Sequence, residues 1–221
     1  MTKSIGESHT PNAQRDRLLS ATLPHVLFDG WSEHALARGA RDIGLDALEA
    51  RRVFPLGAAQ MIEHHSDLAD RRMLATLENM DMPAMRVRDR VTTAVRLRLQ
   101  QNEADREIIR RTLSFLAQPQ HAALWPKYLY RTVNAIWYAA GDTATDFNFY
   151  TKRGLLAGVY VTTLIYWLQD DSEGATESWV FLDRRISDVM RMPRTVARMR
   201  NTITRLPNPL KFVRAARHRF S

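Results

Sequence analysis

GLLAGVYVTTLIYWL, residues 154–168, is the most apolar stretch of this 221-residue chain, and its reading decides the fold. It is fifteen residues long, with Lys152 and Arg153 before it and Asp170 and Asp171 after it. A helix that crosses a bilayer needs roughly twenty apolar residues. The run is therefore read as the central core helix of a helical bundle. Gly154 and Gly158 share one face of that helix, where the missing side chains would let another backbone, or a flat or chain-like ligand, come close. The β-branched patch from Val159 to Ile165 is the one place where a strand competes with a helix on local preference.

Toward the N-terminus the apolar positions keep helical spacing. Pro126 fits the first turn of a helix that reaches Ala140, where Gly141 and Asp142 stop it. Earlier stripes are Met61, Leu68, Leu74 and Leu77, then Val87, Val91, Val95, Leu97 and Leu99, then Ile108, Ile109, Leu113 and Leu116. Before them the sequence predicts three short helices. The first runs from Arg15 to Leu27 and is bent or interrupted by Pro24; the second runs from His34 to Ile43, capped by Ser32 and closed by Gly44. The third is capped by Asp46 and runs through Val53, with Pro55 and Gly57 closing it. This order resembles a helix-turn-helix. Its reading helix would be LDALEARRVF, which sets Asp46 and Glu49 where phosphates and base edges come closest and leaves Arg51 and Arg52 to serve them.

Toward the C-terminus the charge changes. The chain carries 32 Lys and Arg against 24 Asp and Glu, yet Arg191 to Ser221 holds nine basic residues and no acidic one. The remaining 190 residues hold 23 basic and 24 acidic groups, so the body is neutral and the tail carries the excess. Met192, Val196, Met199, Ile203 and Leu206 form one helical stripe, flanked by Arg194, Arg198, Arg200 and Arg205. An apolar stripe among arginines reads either as a helix docked on the body or as one lying in a membrane interface, with arginine stems along the apolar boundary; the lack of acidic residues on its wet face favours the membrane. Pro207 and Pro209 end it, and Leu210, Val213, Ala216 and Phe220 begin a shorter basic segment.

Much chemistry is excluded by what the chain lacks. It has no cysteine, hence no disulfide, thiolate nucleophile or cysteine-ligated metal. There is no HExxH motif, no glycine-rich phosphate loop and no G-x-S-x-G elbow, and Glu63 has Ser66 where a di-iron Glu-x-x-His pair would need histidine. The seven histidines are read as surface or helix-end groups, and no catalytic or metal-binding residue is expected. The opening MTKSIGESHTPNAQRDRLL lacks the apolar core of a secretory signal.

WYAAGDTATDFNFYTKR, residues 137–153, sets Asp142, Asp146, Asn148, Lys152 and Arg153 among Trp137, Tyr138, Phe147, Phe149 and Tyr150 at the junction of two helices. It reads equally as an aromatic-packed corner, capped by Thr145 or Asp146 and tied by its ion pairs, and as an exposed patch for a protein partner. Together with GLLAGVY, Gln169 to Ser172 and WVFLDRRISDV (179–189), this stretch resembles the signature of the ubiquinone (coenzyme Q) biosynthesis accessory proteins, lipid-binding relatives of the Tet-repressor structural superfamily. The likeness is dense from Trp125 to Met192. It is looser before that, where Gly30, Gly44, Leu48, Phe54 and Pro55 fit a degenerate helix-turn-helix.

The resemblance implies an all-α, Tet-repressor-like homodimer. Its parts would be a flexible start (1–12), a helix-turn-helix-like domain (13–56), a helical lipid-binding domain (57–190) and a basic amphipathic membrane-contacting tail (191–221). It implies a non-catalytic accessory protein without a cofactor, which binds an isoprenoid quinone intermediate or a phospholipid. That lipid would be presented to the membrane-associated demethoxyubiquinone hydroxylase, a di-iron enzyme. The lipid-pocket candidates are Trp137, Gly154, Leu155, Gly158, Val159, Thr162, Leu182 and Ile186. The partner patch is Asp142, Asp146, Asn148, Phe149, Tyr150 and Arg153; Phe149 stands where many relatives carry tryptophan, keeping a flat anchor without the indole donor. Membrane contact falls to Met192, Arg194, Val196, Arg198, Met199, Arg200, Ile203, Arg205 and Leu206. Eukaryotic relatives carry a mitochondrial targeting extension, and its lack here gives the expectation of a bacterial chain, cytoplasmic and peripheral on the inner membrane. The alternative is a Tet-like DNA-binding regulator with an apolar effector pocket, against which the acids of LDALEARRVF weigh.

Overall fold

A computed structural model describes the backbone of residues 11–142 and 147–203, and the side chains of 12–142 and 150–191. Every regular element among the described residues is helical. The first three α-helices are α1 (Pro11–Asp29), α2 (Glu33–Asp42) and α3 (Ala47–Val53). Pro24 lies inside α1, which continues to Asp29. Gly30, at φ 65°, then breaks the chain so that the Ser32 hydroxyl accepts from the Ala35 amide at 3.1 Å and starts α2. Asp46 and Glu49 form a reciprocal capping box at the head of α3, with bonds of 2.7 and 2.8 Å. α1 and α2 cross very closely at Gly39, where a Cβ would sit 2.6 Å from the Cα of Thr22.

The longer helices follow as α4 (Ala58–Leu77), α5 (Val87–Gln100), α6 (Arg106–Leu116), α7 (Leu124–Ala139), α8 (Phe147–Gln169) and α9 (Thr176–Ile203). The Val159 to Ile165 patch is helical, inside α8. Of its β-branched residues Val159 and Thr163 are buried against neighbouring helices, together with Leu164, and that burial outweighs a few tenths of a kcal/mol of local preference. Two apolar cores result. One gathers Leu18, Leu19, Val26, Leu36 and Phe54 of α1–α3 and the loop after α3 onto Met61, Ile62 and Leu68 of α4, Ile108 and Leu116 of α6 and Tyr128 of α7. The other packs the second half of α4 with α5, α7, α8 and α9 around Trp167, Leu99, Ile136 and Leu182. Trp125 packs against both.

α8 and α9 are joined by a tight corner built on Asp170. Its carboxylate accepts from the Ser172 amide and hydroxyl at 2.9 and 2.6 Å, and from the Ser178 amide and hydroxyl at 2.8 and 2.6 Å. α9 then runs on through residue 203, so the backbone of the expected amphipathic segment continues α9 without a break as far as Ile203, and the rest of the segment lies outside the described residues. Among the described residues no helix is long and apolar enough to cross a membrane.

Candidate functional site

α8 divides its side chains by helical period. Leu156, Val159, Tyr160, Leu164 and Trp167 are buried, while Gly154, Gly158, Thr162 and Ile165 lie on an exposed face. Beside the buried face, α5, α7, α8 and α9 leave a chamber of about 260 Å³. α5 lines it with Val87 and Val91, α7 with Trp137 and Ala140, α8 with Leu155, Leu156 and Val159, and α9 with Ile186, Val189 and Met190. Its polar groups, Arg88, Asp142 and Lys152, come from the first turn of α5 and the α7–α8 corner.

That corner is an ion cluster. Lys152 Nζ lies 2.8 Å from Asp142 Oδ1, Arg153 Nη1 donates to Asp142 Oδ2 at 3.3 Å, and Arg153 Nε donates to Asn134 Oδ1 at 3.0 Å. The Trp137 indole donates to the Lys152 carbonyl at 3.3 Å, and the Lys152 ammonium stands 5.6 Å over the Trp137 ring. Arg90 donates to the carbonyls of Pro83, Met85 and Ala140 at 3.0, 2.9 and 3.0 Å, holding the end of α7 to the approach of α5. Gly141, at φ 79°, turns the chain away from α7.

Of the lipid-pocket candidates, Trp137, Leu155, Val159 and Ile186 line the chamber. Leu182 is fully buried in the adjoining core. Gly154, Gly158 and Thr162 are corrected: they point outward, and no atom lies within 4 Å of a Cβ built on either glycine. The reason is rotational, since the glycine face is turned away from the sides that meet α5 and α7. The partner patch also divides. Asp142 and Arg153, with side chains only 6% and 7% exposed, form the buried floor of the corner and are corrected from displayed to structural. Tyr150 and Tyr138 are exposed at 70% and 78%. The side chains of Asn148 and Phe149, and all of Asp146, lie outside the described residues, as do the proposed caps Thr145 and Asp146. Met192, Arg194, Val196, Arg198, Met199, Arg200 and Ile203 fall on α9, with only their backbone described, and Arg205 and Leu206 lie beyond it.

The lining residues not anticipated as such are Val87, Val91, Leu156, Val189 and Met190. Their helical spacing was visible, but which stripe faces which is not written in any one helix. The histidine reading is corrected as well. His64 and His65 are buried; His64 Nε2 lies 2.6 Å from Asp16 Oδ1, which Arg71 also grips at 2.7 Å, and His65 faces Asp105 at 3.6 Å. Burial lowers the His64 pKa and outweighs the opposing hydrogen bond to Asp16, so this imidazole is a neutral tie between α1 and α4. Among the described residues no group of three histidine or carboxylate side chains could hold a metal ion. On α3, Arg51 is paired with Glu33 of α2 and the helix head is occupied by its acidic capping box.

Comparison with known proteins agrees with the resemblance drawn from the 137–189 signature. The COQ9 family model matches residues 122–193. The chain is 34% identical to ubiquinone biosynthesis protein COQ9, mitochondrial, of Rattus norvegicus, over 84% of this chain and 62% of the relative. The Homo sapiens protein of the same name is 32% identical over 84% of this chain and 60% of its own length. A probable ubiquinone biosynthesis protein coq9, mitochondrial, of Dictyostelium discoideum is 25% identical over 79% and 59%. The chain thus spans about 60% of the length of these curated relatives. A TetR transcriptional regulator from Nitrosomonas europaea superposes with a TM-score of 0.65, covering 80% of this chain and 98% of that one at 20% identity. That likeness shows the fold: the chain is all-α over its described residues and Tet-repressor-like. The expectation of a bacterial, cytoplasmic chain on the inner membrane is overturned, because the curated relatives it matches are named as mitochondrial proteins. That expectation rested on the absence of an N-terminal extension, which a chain spanning only part of its relatives does not test.

Proposed function

We propose that this chain, which matches the COQ9 family and has a Tet-repressor fold, is a non-catalytic lipid-binding accessory protein of ubiquinone biosynthesis. The observation that carries the reading is the apolar chamber between α5, α7, α8 and α9, whose polar groups gather on one side of an otherwise aliphatic and aromatic wall. Benzene occupies a cavity of about 150 Å³, or ~25 Å³ per heavy atom, so the 260 Å³ here takes about ten heavy atoms. That is two isoprene units. A longer isoprenoid chain extends outside the chamber. The finer reading is that the ligand is a quinone intermediate presented to the membrane-associated demethoxyubiquinone hydroxylase. In it, exposed Tyr150 anchors the partner together with Phe149, and the arginine-flanked tail holds the complex at the bilayer.

Extraction and mass spectrometry of lipids that copurify with the full chain test the reading. A polyprenyl quinone intermediate at near-stoichiometric occupancy is expected, and its level should fall when Val159→Trp fills the chamber. Repeated preparations with neither lipid nor quinone would defeat it.

A further inference from the structure

The chamber between α5, α7, α8 and α9 opens on an identifiable side. Ala140, Leu156, Val159 and Ile186 in its lining are buried, whereas Val87 and Met190 are 48% and 51% exposed. Val87 begins α5 and Met190 stands on α9. The two helices are bridged at this side by Arg88, whose Nη2 donates to Ser187 Oγ at 2.9 Å. The mouth therefore lies between the start of α5 and the stretch of α9 that runs on into the arginine-flanked segment.

A single exposed valine or methionine is ordinary on a protein surface. Here the two are the lips of one apolar opening, and cations stand beside both: Arg86 and Arg88 next to Val87, and Arg191 next to Met190, all three exposed. Among the described residues no carboxylate lies within ion-pair distance of these arginines; Asp188 of α9 is taken by Arg185 at 2.9 Å, and Asp89 follows Arg88 on α5 without pairing to it. An apolar opening edged by uncompensated arginines is complementary to the boundary between acyl chains and anionic headgroups, where guanidinium heads reach phosphates. An acidic protein would answer the arginines equally. The overhang of a chain longer than the chamber calls in addition for a fluid apolar medium at the mouth, and a bilayer supplies one.

We propose that the mouth of the chamber is itself a membrane-contact surface, on the body of the protein and apart from the tail. Val87 and Met190 enter the acyl boundary of an anionic bilayer, and Arg86, Arg88 and Arg191 take headgroup phosphates. The tail recruits the protein and the mouth sets its orientation, so that an apolar ligand passes between bilayer and chamber without crossing water. One arginine near an anionic surface is worth about fivefold in affinity, so this small footprint orients a bound protein and does not replace the tail. The proposal deepens the lipid and membrane reading above and rests on it.

Because the chain has no cysteine, one introduced cysteine carries an environment-sensitive NBD fluorophore at a single place. The full chain is labelled in turn at Val87→Cys, Met190→Cys, Val196→Cys in the tail and Leu48→Cys on α3, which is 60% exposed. Each is mixed with phosphatidylcholine and phosphatidylserine vesicles whose acyl chains carry bromine. Emission at positions 87, 190 and 196 should shift to the blue and be quenched, with position 48 unchanged. Quenching at 196 with none at 87 and 190 would overturn the proposal and leave the tail contact standing; no quenching at any position would overturn both. A probe at 87 that is already blue-shifted without vesicles, in proportion to protein concentration, would give the face to a second copy and overturn the proposal too. Without any label, Arg86→Gln combined with Arg88→Gln, checked for an unchanged helical spectrum, should weaken vesicle binding about tenfold at low salt, and an unchanged affinity would count against the mouth.

Discussion

Asp170 shows how much of this architecture hangs on single side chains. Burial alone would raise its carboxyl pKa, but the two serine hydroxyls and two amides it accepts from outweigh that and hold it at about 2, against an ordinary 3.8. A folded carboxyl that binds its proton less readily than the unfolded one stabilises the fold fully above the ordinary pKa. The contribution is lost as pH falls through the folded value. Asp170→Asn is therefore expected to cost about 1–3 kcal/mol in urea unfolding at neutral pH. Against the parent, that difference should shrink toward zero near pH 2; a penalty independent of pH would show that the charge has no part in it. The caps Ser32 and Asp46 act by the same chemistry and were legible from the sequence, because a cap is read within one turn of its helix; the reciprocal bond from Glu49 came with the structure.

At the scale of the helix, glycines with the same composition have opposite consequences. Gly39 holds α2 against Thr22 of α1, where the Cβ of an alanine would come within 2.7 Å of backbone. Gly154 and Gly158 sit in the interior of α8 with open space beside them. Gly39→Ala is expected to destabilise by about 1–3 kcal/mol through overpacking. Gly154→Ala and Gly158→Ala should each stabilise by about 0.5–1 kcal/mol through helix propensity, without lowering lipid occupancy. Thermal unfolding and lipid mass spectrometry of the three variants decide this. A fall in occupancy for the α8 variants would return that face to the binding site. The sequence showed that both glycines of α8 share a face; it did not show that the face looks outward, because that depends on where α5, α7 and α9 lie.

For the whole molecule, the separation of a neutral body from a basic end is the feature with the longest reach. Electrostatic attraction of arginines to anionic headgroups is screened within about 8 Å at physiological salt, so the contact should be sensitive to ionic strength. Removing residues 191–221 is expected to abolish flotation with anionic liposomes, and raising salt to weaken flotation of the intact chain several-fold. Equal flotation with and without the tail would move the membrane contact to the body. The Tet-like fold leaves the DNA-binding alternative without a supporting observation of its own. α3 spends its N-terminal turn on an acidic capping box and pairs Arg51 with Glu33, and the structural likeness at 20% identity speaks for architecture alone.

Most helix positions, the caps Ser32 and Asp46, the basic tail and the family signature were determined by the sequence itself, because each is a property of residues close together along the chain; the interruption expected at Pro24 was not, and α1 runs through it. Even the fifteen-residue apolar run was correctly assigned to the core by its length and its charged borders. What only the tertiary structure decided is which faces meet. It turned His64 and His65 inward onto Asp16 and Asp105, buried Asp142 with Arg153, and exposed Gly154, Gly158 and Thr162. It also gathered Val87, Trp137, Val159 and Val189 from four helices around one chamber. Helical periodicity names a stripe but not its partner; the choice among possible pairings is made by the packing of all the helices at once.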